Sequence, residues 1–562
     1  MDRPHDRIPG HLSQILVRAA EDHPGAVIGF IRANRSIRTI TYPELLDSAT
    51  RILGGLRKSG IAAGDHVILS LDTSEEIIPA LWACFLGGIV PALLQPPVSF
   101  SEHNPAAEKA ARVYRLLGSP KVILSHAHVE GWLNGGIPSD SLIDYGKLPL
   151  ERTGLVQSGV AGDDLALLQF SSGSTGDPKG VMLTHRNILI NIHDISRGLR
   201  LMPEDVSVSW MPLFHDMGLM GFHMTATYIG CHQYFIDTVD FIKNPLLWLD
   251  AMSELKATIT GCPNFGQVLV NRAIGRKKDP SWDLSPLRAV FNGAEPISVA
   301  CMEEFNGNLR PFGYRDSAML PAYGMAEATL AVSFTDLDLP ARITFFERES
   351  LLGKGLAAET PEQGSSAMPL VSVGIPLPSC EVVIRDDAGN EMPSGHAGHI
   401  LVRGSNVTPG YFNNPEETGE SLREGWLYTG DLGFIHDGEL YILGRLKDII
   451  FINGINYYAH DLERIALQME EVTFGKVAIA GYFDEEEGKD KILVFLVASD
   501  NEVSRALFQK IRKHFRTTLG LLLDTFIPIR SNEIPRTSSG KIQRYKLVNR
   551  FLRGEFTAVT RF

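Results

Sequence analysis

Residues 66–95, HVILSLDTSEEIIPALWACFLGGIVPALLQ, decide how this chain folds. Between Ile77 and Leu94 there is no charged residue, and the length approaches what is needed to cross a bilayer. Pro79, Pro91 and the Gly87–Gly88 pair interrupt the run, and Pro96–Pro97 close it. A buried helix, a turn and a short core strand fit this better than a membrane span, so no stable membrane insertion is expected. Working outward, the β-branched run HVILSLD precedes the helical stretch, and the alternation continues through KAARVYRLLG and KVILSH. It recurs from Ala257 to Val299. Alternation of this kind marks parallel sheets covered by helices, an α/β fold.

A chain of 562 residues exceeds one compact core, so two or more domains are expected. Between Arg342 and Pro369 the pattern lapses into the polar, Gly- and Ser-rich FFERESLLGKGLAAETPEQGSSAMP, which reads as a long loop or an inserted subunit. From Val382 to Leu443, short runs separated by turns such as DDAGN and HDGEL predict antiparallel strands. The αβ pattern restarts after Gly444-Arg-Leu-Lys-Asp448, which places a boundary at about Arg445. The expected organisation is therefore a large core over 1–444, with an insertion at 344–369 and a β-rich subdomain at 370–444. A small mobile α+β domain over 445–562 follows.

The formal charge of −13 disfavours nucleic acid, which calls for a basic surface. Five dispersed cysteines form no CxxC pair, arguing against a disulfide framework or zinc site and for a reducing, cytoplasmic setting. The N-terminus MDRPHDRIPGHLSQ has no apolar core of the kind a signal peptide carries. Charge is uneven: residues 505–562 hold 13 Lys or Arg against 3 Asp or Glu. That basic end reads either as a docking face for an acidic partner or as a solvated surface.

The clearest chemical signal is Ser171-Ser-Gly-Ser-Thr-Gly-Asp-Pro-Lys-Gly180, after the strand-like DDLALLQF. Glycines allow close backbone approach, the hydroxyls donate, and Lys179 adds a positive charge, which together make a cradle for polyphosphate. It lacks the Gly-Lys-Ser/Thr triplet of a Walker A loop, which disfavours a kinase or P-loop ATPase. The segment ends in a helix that Thr184 is expected to cap.

With this loop the sequence resembles the adenylate-forming superfamily of acyl-CoA synthetases, luciferases and peptide-synthetase adenylation domains. The resemblance continues, in order, through Asn292-Gly-Ala-Glu295, Ala322-Tyr-Gly-Met-Ala-Glu327, Tyr428-Thr-Gly-Asp431, Gly444–Asp448 and Ser538-Ser-Gly-Lys-Ile-Gln-Arg544. It implies ATP and Mg²⁺ as cofactors. Ser171, Ser172, Gly173, Ser174, Thr175, Gly176 and Lys179 would then bind phosphates, with Thr175 also placed near the metal. Asn292, Gly293, Ala294, Glu295, Ala322, Tyr323, Gly324 and Met325 would form the adenine site, with Tyr323 stacking on the base. Asp431 would accept from the ribose hydroxyls, Arg445 would meet ribose or phosphate oxygens, and Lys447 would act as the hinge. Glu327 would help hold Mg²⁺, although a surface glutamate at a helix start is the plainer reading.

Lys541 would reach the α-phosphate and the substrate carboxylate when the second domain closes, and His215 in WMPLFHDMG would stand at the acyl pocket. Met217, Met220 and Met224 read equally as an acyl channel or as core, and His215, Asp216 and His223 lack metal-ligand spacing. WMPLFHDMGLMG, GMAEATL and the 344–369 insertion resemble the fatty acyl-AMP ligase branch, in which the insertion hampers domain movement and disfavours CoA. The branch implies a fatty acid substrate and a carrier protein acting in trans, docking on the basic C-terminal domain, since no carrier domain follows Phe562. A fatty acyl-CoA synthetase is the main alternative, and amino-acid adenylation or a catalytically silent nucleotide binder are further ones. GINYYAHDLE departs from the branch pattern at Tyr457, Ala459 and His460.

Overall fold

The computed structural model describes residues 8–97, 104–154, 159–172, 178–277, 280–361, 366–452, 455–484, 489–499, 502–537, 541–556 and 558–561. In it the uncharged run is divided between a helix, Ser74–Gly87, and a strand, Val90–Leu93. Gly88, at φ 66°, ends the helix as a left-handed cap. Pro79, which the sequence suggests as a breaker, lies inside the helix instead. Ile78, Leu81 and Trp82 around it are fully buried, and tertiary packing outweighs the one amide donor a proline removes. Among the described residues no helix is long and apolar enough to cross a membrane.

That strand belongs to a six-stranded sheet ordered Leu142–Asp144, Lys121–Leu124, His66–Ser70, Val90–Leu93, Leu165–Ser172 and Pro178–Thr184. Its pairs are parallel except for the last two strands, an antiparallel hairpin that carries the phosphate-loop motif at its turn. A second sheet of nine strands has a parallel centre built from Val27–Ile31, His232–Ile236, Val206–Ser209, Ile259–Gly261, Ala289–Asn292 and Met319–Gly324. One apolar core runs between the two sheets through the helices Tyr42–Lys58 and Ser74–Gly87. Thr41 and Thr184 cap the helices that follow them, each with a reciprocal capping box.

Residues 380–445 form antiparallel strands, as their turn spacing predicts. Beyond Arg445, where a strand ends, come a short hairpin, a four-stranded sheet and the helices Ala459–Ala466, Glu502–Leu519 and Arg544–Leu552. The 344–369 segment is not a loop. Ile343–Glu347 and Ala367–Val371 pair antiparallel around the helix Arg348–Lys354.

This hairpin packs against both the β-rich region and the C-terminal domain. Phe346 is fully buried, edge-on to Phe434 and Tyr441 at 5.1 and 5.5 Å. Leu351 and Leu352 share a core with Leu462 and Ile465 of the C-terminal domain. Arg348, 8% exposed, makes a buried ion pair with Asp461, 2% exposed, and Arg348 Nη2 also donates to the Ala367 carbonyl at 3.2 Å.

Candidate active site

A cleft of about 1330 Å³ opens at the carboxyl ends of the parallel strands, where open α/β sheets place their ligands. Leaving the strand Ala289–Asn292, the chain turns through Gly293, Ala294 and Glu295, which line the cleft. Asn292 itself is fully buried, its side-chain amide without a hydrogen-bond partner among the described residues. Ala294 sits at φ 70°, a left-handed conformation that costs a non-glycine residue about 1–3 kcal/mol and concentrates at functional sites. Glu295 Oε1 accepts from the Phe265 amide at 3.2 Å. Burial pushes its carboxyl up, against the pull of Lys541, Arg536 and Arg544.

The neighbouring strand delivers Ala322, Tyr323, Gly324 and Met325 to the same cleft. A Cβ on Gly324 would fall 1.8 Å from the Leu330 carbonyl oxygen, so this tight return needs glycine. Tyr323 donates its hydroxyl to Asp431 Oδ2 at 2.7 Å. Burial and the Asp431 charge push that phenol well up, which keeps it a donor. Arg445 Nε donates to Asp431 Oδ1 at 3.1 Å, and the Asp431 charge in turn raises Arg445. Each oxygen of this buried carboxylate thus has one protein donor and a second lone pair to spare.

The chain of the C-terminal domain closes over this triad. Lys541 lines the cleft, held by paired bonds with Thr537 across its turn. Burial and Arg445 lower its ammonium, while Asp216, Asp431 and Glu295 oppose that shift. His215 Nδ1 lies 2.6 Å from Asp216 Oδ1. Burial raises Asp216, but His215 and Lys541 outweigh it and hold the carboxyl below its usual range. Nearby, Arg544 binds Glu463 through Nε and Nη2 at 2.9 and 2.6 Å, fixing the lysine's segment to the helix Ala459–Ala466. Gly444, at φ 145°, lets Tyr458 and His460 approach the hinge; a Cβ there would meet them at 3.1 and 3.2 Å. Lys447 is exposed on the turn that follows. His460, one of the positions departing from the branch pattern, lines the cleft with its imidazole pushed down to about 4 by burial.

On the opposite wall, Glu327 accepts from the Tyr411 hydroxyl through Oε1 at 3.0 Å. Glu327 lines the cleft, and a carboxylate there fits a hard cation such as Mg²⁺. Lys179 pairs with Glu417, its ammonium 5.7 Å from the Tyr411 ring centroid. Backbone bonds from Phe412 to Gly180 and from Met182 to Gly410 anneal the phosphate-loop hairpin to this segment. Gly173, Ser174, Thr175 and Gly176 lie outside the described residues, and of Ser171 and Ser172 the backbone alone is described.

Of the three methionines, Met217 lines the cleft, whereas Met220 and Met224 are fully buried in the core. His223 is also core: it accepts from Trp82 Nε1 and meets Gln233 Oε1, both at 2.8 Å. Sequence reasoning passed over Tyr411, Glu417 and Arg536, all on the cleft, and weighed Asp216 only as a metal ligand. It missed Lys109 as well, whose ammonium donates to the Phe170 carbonyl at 3.1 Å and is pushed down to about 8 by burial. Tyr411 had one cue, the GYF after a Pro in a stretch with no strand alternation.

The AMP-binding enzyme family matches residues 16–412. A Caulobacter vibrioides protein described provisionally as an acyl-CoA synthetase is 31% identical over 553 residues, 97% of this chain and 96% of its own. The medium-chain-fatty-acid–[acyl-carrier-protein] ligase JamA of Moorena producens is 30% identical over 546 residues, covering 92% and 91%. A solved structure from a study of fatty acyl-adenylate ligases of E. coli and L. pneumophila superposes with a TM-score of 0.89 at 30% identity, over 98% of this chain and 99% of that one. The strand-end cleft, the Tyr323–Asp431–Arg445 triad and Lys541 closing on it thus sit in a chain that belongs to the AMP-binding, adenylate-forming enzymes.

Proposed function

We propose that the chain is a fatty acyl-AMP ligase that passes its acyl group to the phosphopantetheine thiol of a carrier protein acting in trans. In the first step a carboxylate oxygen of the fatty acid attacks the α-phosphorus of ATP. The bond to the bridging β-phosphate oxygen breaks, and pyrophosphate leaves with no net proton transfer. Two anions must meet, so the demand is for charge neutralisation and positioning. Lys541 would supply positive charge between the carboxylate and the α-phosphate, with Asp216 and Asp431 holding it as a cation. Tyr323 would present its ring to adenine, and Asp431, oriented by Tyr323 and Arg445, would accept from the ribose hydroxyls. Gly293 to Glu295 and Ala322 to Met325 would shape the base pocket, and Lys179 with the Ser171–Gly176 segment would take the leaving phosphates. His215 would stand beside the incoming carboxylate. Glu327 would hold Mg²⁺, which when bound neutralises phosphate oxygens.

In the second step the thiol sulfur attacks the acyl carbonyl carbon, the bond from that carbon to the phosphate oxygen breaks, AMP departs and the thiol proton is released to solvent. The observation that carries the choice of acceptor is the hairpin at 343–371, keyed into the C-terminal domain by the buried Arg348–Asp461 pair and by Leu351 and Leu352 packing with Leu462 and Ile465. Such a wedge resists the swivel about Lys447 that admission of free CoA demands. The basic surface of residues 505–562 suits an acidic carrier. The test supplies a panel of fatty acids and ATP with either CoA or a holo-carrier. Acyl-AMP and acyl-carrier should accumulate; efficient acyl-CoA formation would overturn the choice of acceptor.

A further inference from the structure

The cleft has an apolar arm that the nucleotide does not need. Its wall is made by Ile195, Met217, Gly221, Phe222, Phe291 and Ala331, from the helix His185–Gly198, the wide helical turn Met217–Met224, the central strand Ala289–Asn292 and the antiparallel strand Ala331–Phe334 near the sheet edge. Phe222 and Ile195 are each 1% exposed, so this part of the wall is closed off from solvent. The Phe222 ring comes close to the backbone of Gly261, where a Cβ would fall within 2.6 Å of Cζ. It stands edge-on to Phe291 at 6.1 Å, which stands edge-on to Phe334 at 6.3 Å. Phe334 in turn rests on Gly198, where a Cβ would meet its ring at 2.3 Å. Two of the three rings, Phe222 and Phe334, abut glycine backbone and the third, Phe291, stands between them, so the row is closely packed. In front of the row Gly221 leaves the arm open: a Cβ there would meet only Leu330 Cδ2 at 3.1 Å and Met217 Cγ at 3.9 Å.

We infer that Phe222 sets the length of acyl chain the enzyme accepts, its ring being the surface on which the terminal methyl of an unbranched chain stops, with Gly221 as the open position that lets the chain reach it. This rests on the fatty-acid reading above and adds to it a length limit carried by one side chain. Each methylene that finds apolar room is worth about fourfold in binding. A chain that would have to displace the aromatic row gains nothing from its extra carbons.

The experiment is fatty-acid-dependent exchange of pyrophosphate into ATP, run on the full chain with straight-chain acids from hexanoic to octadecanoic, so that no acceptor enters. Phe222→Ala should move the optimum to longer acids and raise the ratio of kcat/KM for long over short acids by about tenfold or more, a few methylenes at roughly fourfold each. Gly221→Val should move it the other way. Phe222→Leu, which keeps most of the packing, should shift the optimum in the same direction as alanine and serves if the alanine variant does not fold. An unchanged chain-length profile in the leucine and valine variants, or a loss uniform across lengths, overturns the assignment. Parent enzyme that exchanges with no straight-chain acid overturns the fatty-acid reading itself, which only the parent arm reports.

Discussion

Replacing Arg348 tests whether the inserted hairpin restrains the C-terminal domain. Arg348 and Asp461 are both buried, and breaking such a pair by removing one partner costs about 3–5 kcal/mol, because a charge is left without compensation. Here the penalty is smaller, since Arg464 still donates to Asp461 Oδ1 at 2.9 Å; about 2–3 kcal/mol is a reasonable figure. Burial raises the Asp461 carboxyl, but Arg348 and Arg464 outweigh it and hold it low. With a depressed folded-state pKa, the pair's contribution is present above the unfolded value near 4 and lost as pH falls through the folded one. In the Arg348→Met variant, 2–3 kcal/mol would raise the released fraction of the domain by about 30- to 150-fold at neutral pH. The assay is a double-mutant cycle of Arg348→Met and Asp461→Asn, read by denaturant unfolding, proteolysis at residues 446–448 and CoA-dependent product. A coupling energy of about 2 kcal/mol, faster cleavage and a gain of acyl-CoA are expected. Coupling below about 0.5 kcal/mol with unchanged cleavage would refute the latch.

Lys541→Ala should abolish acid-dependent pyrophosphate exchange while ATP binding, followed by calorimetry, weakens by less than about tenfold; retention of full rate would remove Lys541 from the chemistry. Tyr323→Phe deletes the 2.7 Å bond to Asp431 and should weaken ATP or AMP binding by about 10- to 150-fold, a hydrogen bond to a charged group being worth about 1.5–3 kcal/mol; equal affinity for the two proteins would show that Asp431 needs no such support. Lys109, pushed down to about 8, is protonated more readily in the unfolded chain, so stability should rise with pH between about 8 and 10 by roughly 1–3 kcal/mol. Lys109→Met should flatten that rise in urea unfolding, and an unaltered slope would contradict the burial of its ammonium.

What the sequence exposed of this site was local. Asn292–Glu295, Ala322–Met325 and Gly444–Asp448 are turns at strand ends, where backbone demands select small residues and glycine: Gly324 against the Leu330 carbonyl, Gly444 against Tyr458 and His460. The strand–helix alternation read correctly because hydrophobic period is a property of neighbouring residues. Pro79 misled because a local rule met a fully buried helix, and the three methionines divided because exposure to the cleft depends on the fold. The hairpin of 343–371 reads from sequence as a long loop or an inserted subunit, without its strands, because its apolar residues, Phe346, Leu351 and Leu352, bury against partners from elsewhere in the chain.

The residues missed share one property: each has its partner far away in sequence. Tyr411 reaches Glu327 across 84 positions, Lys109 reaches Phe170 across 61, and Arg348 reaches Asp461 across 113. A tyrosine or arginine among polar neighbours carries no periodic signal, so such pairs appear only when two segments are folded together. The division follows chemistry. Turns that touch a nucleotide are recognisable alone because backbone approach constrains several adjacent residues at once. In the proposed function the choice of acceptor turns on how firmly two domains are held, and that would be set by single side chains meeting across the fold. Activation of an acid is therefore written in the motifs, while in the proposed function discrimination between a carrier thiol and CoA would rest on contacts such as Arg348–Asp461, where each residue taken alone looks like an ordinary surface charge.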